Sequence, residues 1–313
     1  PTNYGGRGGS YDSEGTRSVA NNKDGFFWDL CQRHNVTYRT YGEFADDYKA
    51  NLPVLEGHFC PYYTSWDETV RDTTRFNQWK REFDSLVAVQ QVPRFNSLRF
   101  INDHTEGLRL GRPTPFAHVA DNDWAVGLFV EHLSKSPIWK ESLVFIVEDD
   151  AQNGPDHVDA HRTTAYLASP YVKRNFVDHT MYSTSSLLRT MELILGLPPM
   201  TQYDAAATPL WRSFTPVPDE STFQSVPALV DLTAVNTAQS EWQLRSEQFN
   251  LSKEDAVPDE EFNRVLWHGI KGSAQPYPGP RRAAFVNSAA ETDPDDAEDR
   301  RESKRKTPVL RCP

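Results

Sequence analysis

The chain has 313 residues and a mass of 35.7 kDa, enough for one large domain or two ordinary ones with a buried core. Its 33 Lys plus Arg face 44 Asp plus Glu, a net charge of −11, which argues against a nucleic-acid backbone as main partner and leaves metal cations open. Mean hydropathy is −0.65 and the longest apolar run is Leu143 to Val147, so no segment offers the roughly 20 apolar residues of a membrane-spanning helix. Cys31, Cys60 and Cys312 follow no metal-ligand spacing and are odd in number, which indicates neither a disulfide framework nor a cysteine zinc site. Pro1 opens no charged and then apolar leader, so any export signal is expected upstream.

In chain order, the glycine-rich stretch Tyr4 to Tyr11 reads as a loop; no lysine follows at P-loop distance. Phe26, Phe27, Leu30 and Cys31 recur at helical spacing within 22–34, and Val36 to Tyr41 alternates as a strand. Residues 51–75 mix aromatics, Pro and Asp without period, a long surface excursion, and Phe76 to Val87 reads as a short helix. Ser97 to Ile101 is a strand candidate that ends in Asn102-Asp103-His104-Thr105. Asp121 is expected to cap a helix whose apolar face is Ala125, Leu128, Phe129 and Leu133. Leu143 to Val147 suits a strand buried on both faces, and it runs into Glu148-Asp149-Asp150.

Thr163 to Ala168 is a further strand, closed by Ser169-Pro170. Ser183 then opens a helix with Leu187, Leu188, Met191, Ile194 and Leu195 on one side, ended by Gly196 with Pro198 beyond. Past residue 217 the pattern weakens, and Phe262, Val265, Leu266 and Trp267 suggest one short helix on the body of the domain. From Asn287 acids and then bases follow each other in a tail that reads as solvated and disordered, its adjacent charges cancelling as a nucleic-acid arm. Strands alternating with helices imply an α/β fold with a largely parallel central sheet flanked by helices. The expected division is a catalytic body over 1–216, an extension packed on it over 217–286 and the charged tail over 287–313.

Ligands collect beyond the carboxyl ends of the strands in such sheets. Three polar clusters fall there: Asp103-His104, Glu148-Asp149-Asp150, and Asp156-His157-Val158-Asp159-Ala160-His161. Adjacent carboxylates repel unless a cation sits between them or one is protonated. An isolated Asp-Asp pair is ordinarily a solvated turn, but here Gly154 and Pro155 follow and His161 comes eleven and twelve positions on. Imidazole with carboxylate suits zinc, manganese or iron better than calcium. His118, His132, His179 and His268 lack such company and read as structural.

The ordered pieces Ser136 to Asp150, Asp156-His157-Val158, Ala168 to Tyr171, Val177 to Thr180 and Ser186 to Leu197 resemble the bacterial phosphoesterase family, which holds phospholipase C and acid phosphatase relatives within the alkaline phosphatase superfamily. The resemblance runs from about Phe95 to Phe214, some two fifths of the chain. It implies an alkaline-phosphatase-like fold and metal-dependent hydrolysis of a small-molecule phosphoric ester, in which a Ser or Thr hydroxyl attacks phosphorus and forms a phosphoenzyme. By resemblance Asp149, Asp150 and His161 match metal ligands, and His104 matches a histidine that binds metal or a phosphoryl oxygen. His157 matches a second catalytic histidine, ranked below His161, and Asp103 is weaker still.

Tyr182-Ser183-Thr184 departs from relatives that place a histidine after the tyrosine. The superfamily's nucleophile and first acidic ligand follow an opening strand, and Thr2, Ser10, Thr16 and Ser18 have no such setting. The chain is therefore expected to be the carboxyl portion of a phosphoesterase that lacks its N-terminal segment, with an upstream β-propeller or catalytic segment as partner. A periplasmic or secreted location goes with the family. Three alternatives remain: a catalytically inactive domain that keeps the fold and part of the metal site, a sulfatase-like hydrolase disfavoured by the settings of Cys31 and Cys60, and a calcium-binding surface protein disfavoured by the absence of alternating Asp and Asn with Gly.

Overall fold

The computed structural model describes residues 21–46, 48–149, 151–252 and 256–281. The loop expected over Tyr4 to Tyr11, the hydroxyls of Thr2, Ser10, Thr16 and Ser18, Asp150, Cys312 and the charged tail lie outside the described residues. The elements run α1 (Phe27–Arg33), β1 (Tyr38–Tyr41), β2 (Ala45–Asp46), β3 (Lys49–Ala50), α2 (Asp72–Ala88), β4 (Phe95–Leu98), α3 (Pro115–Ser134), β5 (Val144–Val147), β6 (Ala165–Ala168), α4 (Thr184–Leu195), α5 (Gln202–Ala206), α6 (Glu241–Ser246) and α7 (Asp259–Lys271). It is a mixed α/β structure, but the described strands form three two-stranded sheets and not the expected largely parallel central sheet. Parallel pairing joins β1 to β4, with Tyr38 opposite Phe95, while β2 with β3 and β5 with β6 are antiparallel. The connections account for this. α2 lies in the crossover from β1 to β4, whereas a loop without a helix turns β5 back onto β6.

Three apolar clusters hold these elements. Phe76, Trp79 and Phe83 of α2 meet Ala125, Val130 and Leu133 of α3, with Trp79 stacked on Phe83 at 4.6 Å. A second cluster packs Phe27, Leu30 and Cys31 of α1 against Val36, Tyr38, Leu55 and Leu197. The third, Phe249, Leu251, Val257, Phe262 and Val265, belongs to the C-terminal elements. Cys31 and Cys60 are buried free thiols. Among the described residues no helix is long and apolar enough to cross a membrane.

Several local expectations shift for tertiary reasons. α3 starts at Pro115 with Thr114 as its cap, so Asp121 is not a cap of its own helix. Its carboxylate instead accepts from the Asp72 and Thr73 amides and the Thr73 hydroxyl. That contact satisfies the orphan donors at the start of α2 and lets it begin four residues before Phe76. β5 is half-buried, with Val147 41% exposed, rather than covered on both faces; among the described residues β6 is its sole ladder partner. Ser183 and a left-handed Gly196 bound α4 as its sequence indicates, yet Ile194 faces outward at 53% exposure. Two helices, α6 and α7, occupy the weakly patterned C-terminal region where one was expected.

Candidate active site

β4 delivers the chain into the turn Asn102–His104, and a buried charge centre shapes that turn. Asp72 and Arg75 are fully buried and bridged at 3.1 Å. The Asp72 carboxylate accepts from the Ile101 and Asn102 amides at 3.1 and 2.8 Å and from Asn122 Nδ2 at 3.0 Å. Arg75 donates to the carbonyls of Thr64, Ser65, Asp67 and Val70, which fixes the irregular excursion before α2. Buried ions are tolerated only with this degree of satisfaction. Thr105, which follows His104, has φ 66° and ψ 154°, a region nearly reserved for glycine that costs a non-glycine residue about 1–3 kcal/mol and concentrates at functional sites.

His104 is held on three sides. Its Nδ1 lies 2.9 Å from Glu68 Oε1, Trp66 meets it edge-on at 5.0 Å, and Phe262 of α7 stacks on it at 5.6 Å. Burial opposes the charge on His104, but the hydrogen bond and negative charge of Glu68 outweigh it and raise its pKa. Burial also lifts Glu68, and the 2.9 Å contact with Oε1 engages Nδ1. Nε2 is the ring nitrogen that Glu68 leaves available.

Beside His104, the carboxyl of Asp103 is pushed up to about 6, by crowding away from water first and then by the charges of Asp72, Asp149 and Glu148. Asp103 nevertheless keeps an exposed face and accepts from Asn122 Nδ2 at 3.1 Å. The ends of β4 and β5 thus gather acids into one electrostatic neighbourhood. Arg99 is the counter-charge there: its guanidinium lies 3.7 Å from Asp149 and 3.8 Å from Glu43, over the Trp66 ring.

The loop from β5 to β6 is differently built. Asp156 spends its carboxylate on the Val158 and Asp159 amides and on Arg162, contacts that draw its pKa down to about 2. The His157 side chain is 84% exposed, and His161 Nδ1 pairs locally with Asp159 at 2.7 Å. Among the described residues no three of His, Cys, Asp and Glu converge to hold a metal ion. Asp103, Glu148 and Asp149 are oxygen donors of the right chemistry for a divalent cation, but they do not complete a ligand set, and Asp150 lies outside the described residues.

Sequence reading missed Glu68, Trp66, Asp72, Arg99 and Phe262. The first three stand in the aperiodic stretch 51–75, and Phe262 is some 160 residues from the ring it covers; no local spacing signals them. Three of the histidines set apart from the clusters have these surroundings. His132 bonds to Asp84 at 2.6 Å, His268 stacks on Trp242, and buried His118 faces Glu106 at 3.6 Å.

The fold is of the mixed α/β class, with a pinned histidine beside crowded carboxylates near strand ends. The phosphoesterase family model matches residues 2–198, and the chain belongs to that family. A search of curated proteins found no match.

Proposed function

We propose that this chain is a metal-dependent phosphoric ester hydrolase of the phosphatase or phospholipase C type. Family membership supports phosphoric ester hydrolysis; the finer reading rests on His104, whose Nδ1 is occupied by Glu68 at 2.9 Å beside a cluster of acids at the ends of two strands. With Nδ1 tied down, Nε2 is oriented to donate to a phosphoryl oxygen and stabilise charge that grows there in the transition state. Asp149, with Asp150 and His161, is the proposed metal-binding set, and a divalent ion held there would act as a Lewis acid on the phosphoryl oxygens. His157 serves as an accessory histidine in this reading. The attacking hydroxyl is assigned to none of the described residues.

A second reading, a domain that keeps the fold and part of the site without turnover, is favoured by the incomplete ligand grouping among the described residues. One experiment separates the two. Purified chain is assayed on p-nitrophenyl phosphate and bis-p-nitrophenyl phosphate with added zinc, manganese or calcium, beside a D149A/D150A variant. Metal-dependent turnover that disappears in the variant is the expected result. No turnover, with metal binding that still depends on Asp149, Asp150 and His161, establishes the second reading, and loss of both turnover and binding removes the metal assignment.

A further inference from the structure

We infer that helix α7, which lies beyond the family-matched residues, is a positioning element of the site: Phe262 fixes the plane of the His104 ring, and Asp259 and Asn263 hold the loop that follows Asp149. This inference rests on the hydrolytic reading above for its catalytic meaning, and on geometry alone for the contacts.

α7 is placed by its own sequence. Pro258 precedes it, three acids fill its first turn where the helix dipole favours them, and Phe262 and Val265 are buried. Phe249 meets Phe262 edge-on at 5.6 Å, so the ring lying 27° from the plane of His104 is itself held from behind. Glu68 fixes the direction of Nδ1 and Trp66 meets the ring edge-on. Phe262 adds a near-parallel face that fixes the ring plane.

Gln152 and Asn153 both have positive φ, 42° and 54°, a turn backbone that Asn adopts readily but that is uncommon for Gln. Contacts from outside the turn help to hold it in this conformation. α7 supplies them: Asn153 Nδ2 donates to Asp259 Oδ2 at 3.1 Å, and Asn263 Nδ2 donates to the Gln152 carbonyl at 2.8 Å. Further along, the Ala160 amide donates to the Arg281 carbonyl at 2.7 Å and Arg281 Nη1 reaches the His157 carbonyl at 3.3 Å. The C-terminal segment therefore grips the loop after Asp149, the loop of His157 and His161, and the ring of His104. These are the separate pieces a phosphoryl group would have to meet at once.

The test uses the full chain and two variants. F262L keeps an apolar side chain in the third core, and D259A/N263A removes both loop contacts while leaving Phe262 in place. Manganese-dependent hydrolysis of p-nitrophenyl phosphate is expected to lose about tenfold to a hundredfold in kcat in each variant with KM nearly unchanged, as for small displacements of reacting groups. In F262L the His104 imidazole nitrogen resonances, assigned by their loss in H104A, should shift. In D259A/N263A limited proteolysis should cut faster within 151–155. Variants that fold with wild-type kcat, or whose loss is confined to KM, overturn the proposal. Should the wild-type chain turn nothing over, the hydrolytic reading fails by itself, and α7 is judged on resonances and cleavage: unmoved signals and an unchanged cutting rate overturn it.

Discussion

The turn over 101–105 and the loop over 148–164 carry the same kinds of residue beyond the ends of β4 and β5, yet the fold treats them differently. The first is pinned by Asp72 to two backbone amides, by Asp121 through Asn102 and by Glu68 to His104. The second is held by its own short-range bonds, with His157 and His161 open to solvent and α7 gripping it from outside. One half is held from within the core and the other from outside, by α7 and its own turns, and both have to be in place for the proposed site. The difference is one of burial, since both segments are polar.

The most severe break is D72A. It strips the Ile101 and Asn102 amides of their acceptor and leaves Arg75 as an unpaired buried cation, and denaturant unfolding is expected to show a loss of about 3–5 kcal/mol. A loss below 1 kcal/mol would mean that the turn is held by other contacts. E68Q is milder, about 1–3 kcal/mol by the same measurement, because an amide can still meet the imidazole while its charge is gone. Its hydrolysis rate should fall more than its stability, and an unchanged rate would detach Glu68 from His104's task.

The corner between α4 and α5 gives a pH-dependent counterpart. Glu192 and Asp204 are buried and both accept from the Met200 amide, with Arg189 on Glu192. Burial first, then the hydrogen bond and charge of Asp204, push Glu192 up to about 7, while Thr201 and Glu192 hold Asp204 below its usual value despite its burial. A raised folded pKa binds the proton more tightly in the native state. The Glu192 contribution is therefore full below its unfolded pKa of about 4.5 and is lost as pH rises through about 7. Asp204 has the opposite sign, present above its unfolded value and lost only in stronger acid. Thermal midpoints should fall from about pH 5 to pH 8 in the wild type and stay flatter in E192Q; parallel curves would show that the pair does not share a proton.

The smallest effect on stability belongs to the exposed loop. H161A removes an exposed ring that bonds to a neighbour two residues away, so stability should stay within about 0.5 kcal/mol. Metal-dependent hydrolysis should nonetheless collapse. If activity survives, His161 belongs to the loop and not to the site.

The amino-acid sequence by itself determined what depends on neighbours a few residues apart. α4 between Ser183 and Gly196 follows from a capping residue and a left-handed glycine, the apolar face of α3 from its spacing, and the clusters at Asp103-His104 and Glu148-Asp149 from where strand patterns end. The family was legible too, because its motifs are ordered local strings, and the family model covers residues 2–198. Tertiary structure decided the rest. Asp121 belongs to the start of α2 and not of its own helix, Glu68 comes from an aperiodic loop, and Phe262 from a helix outside the family match. Each acts across dozens of residues or more, and such partners leave no period, cap or spacing in the chain; contact, burial and charge appear only once the chain has folded.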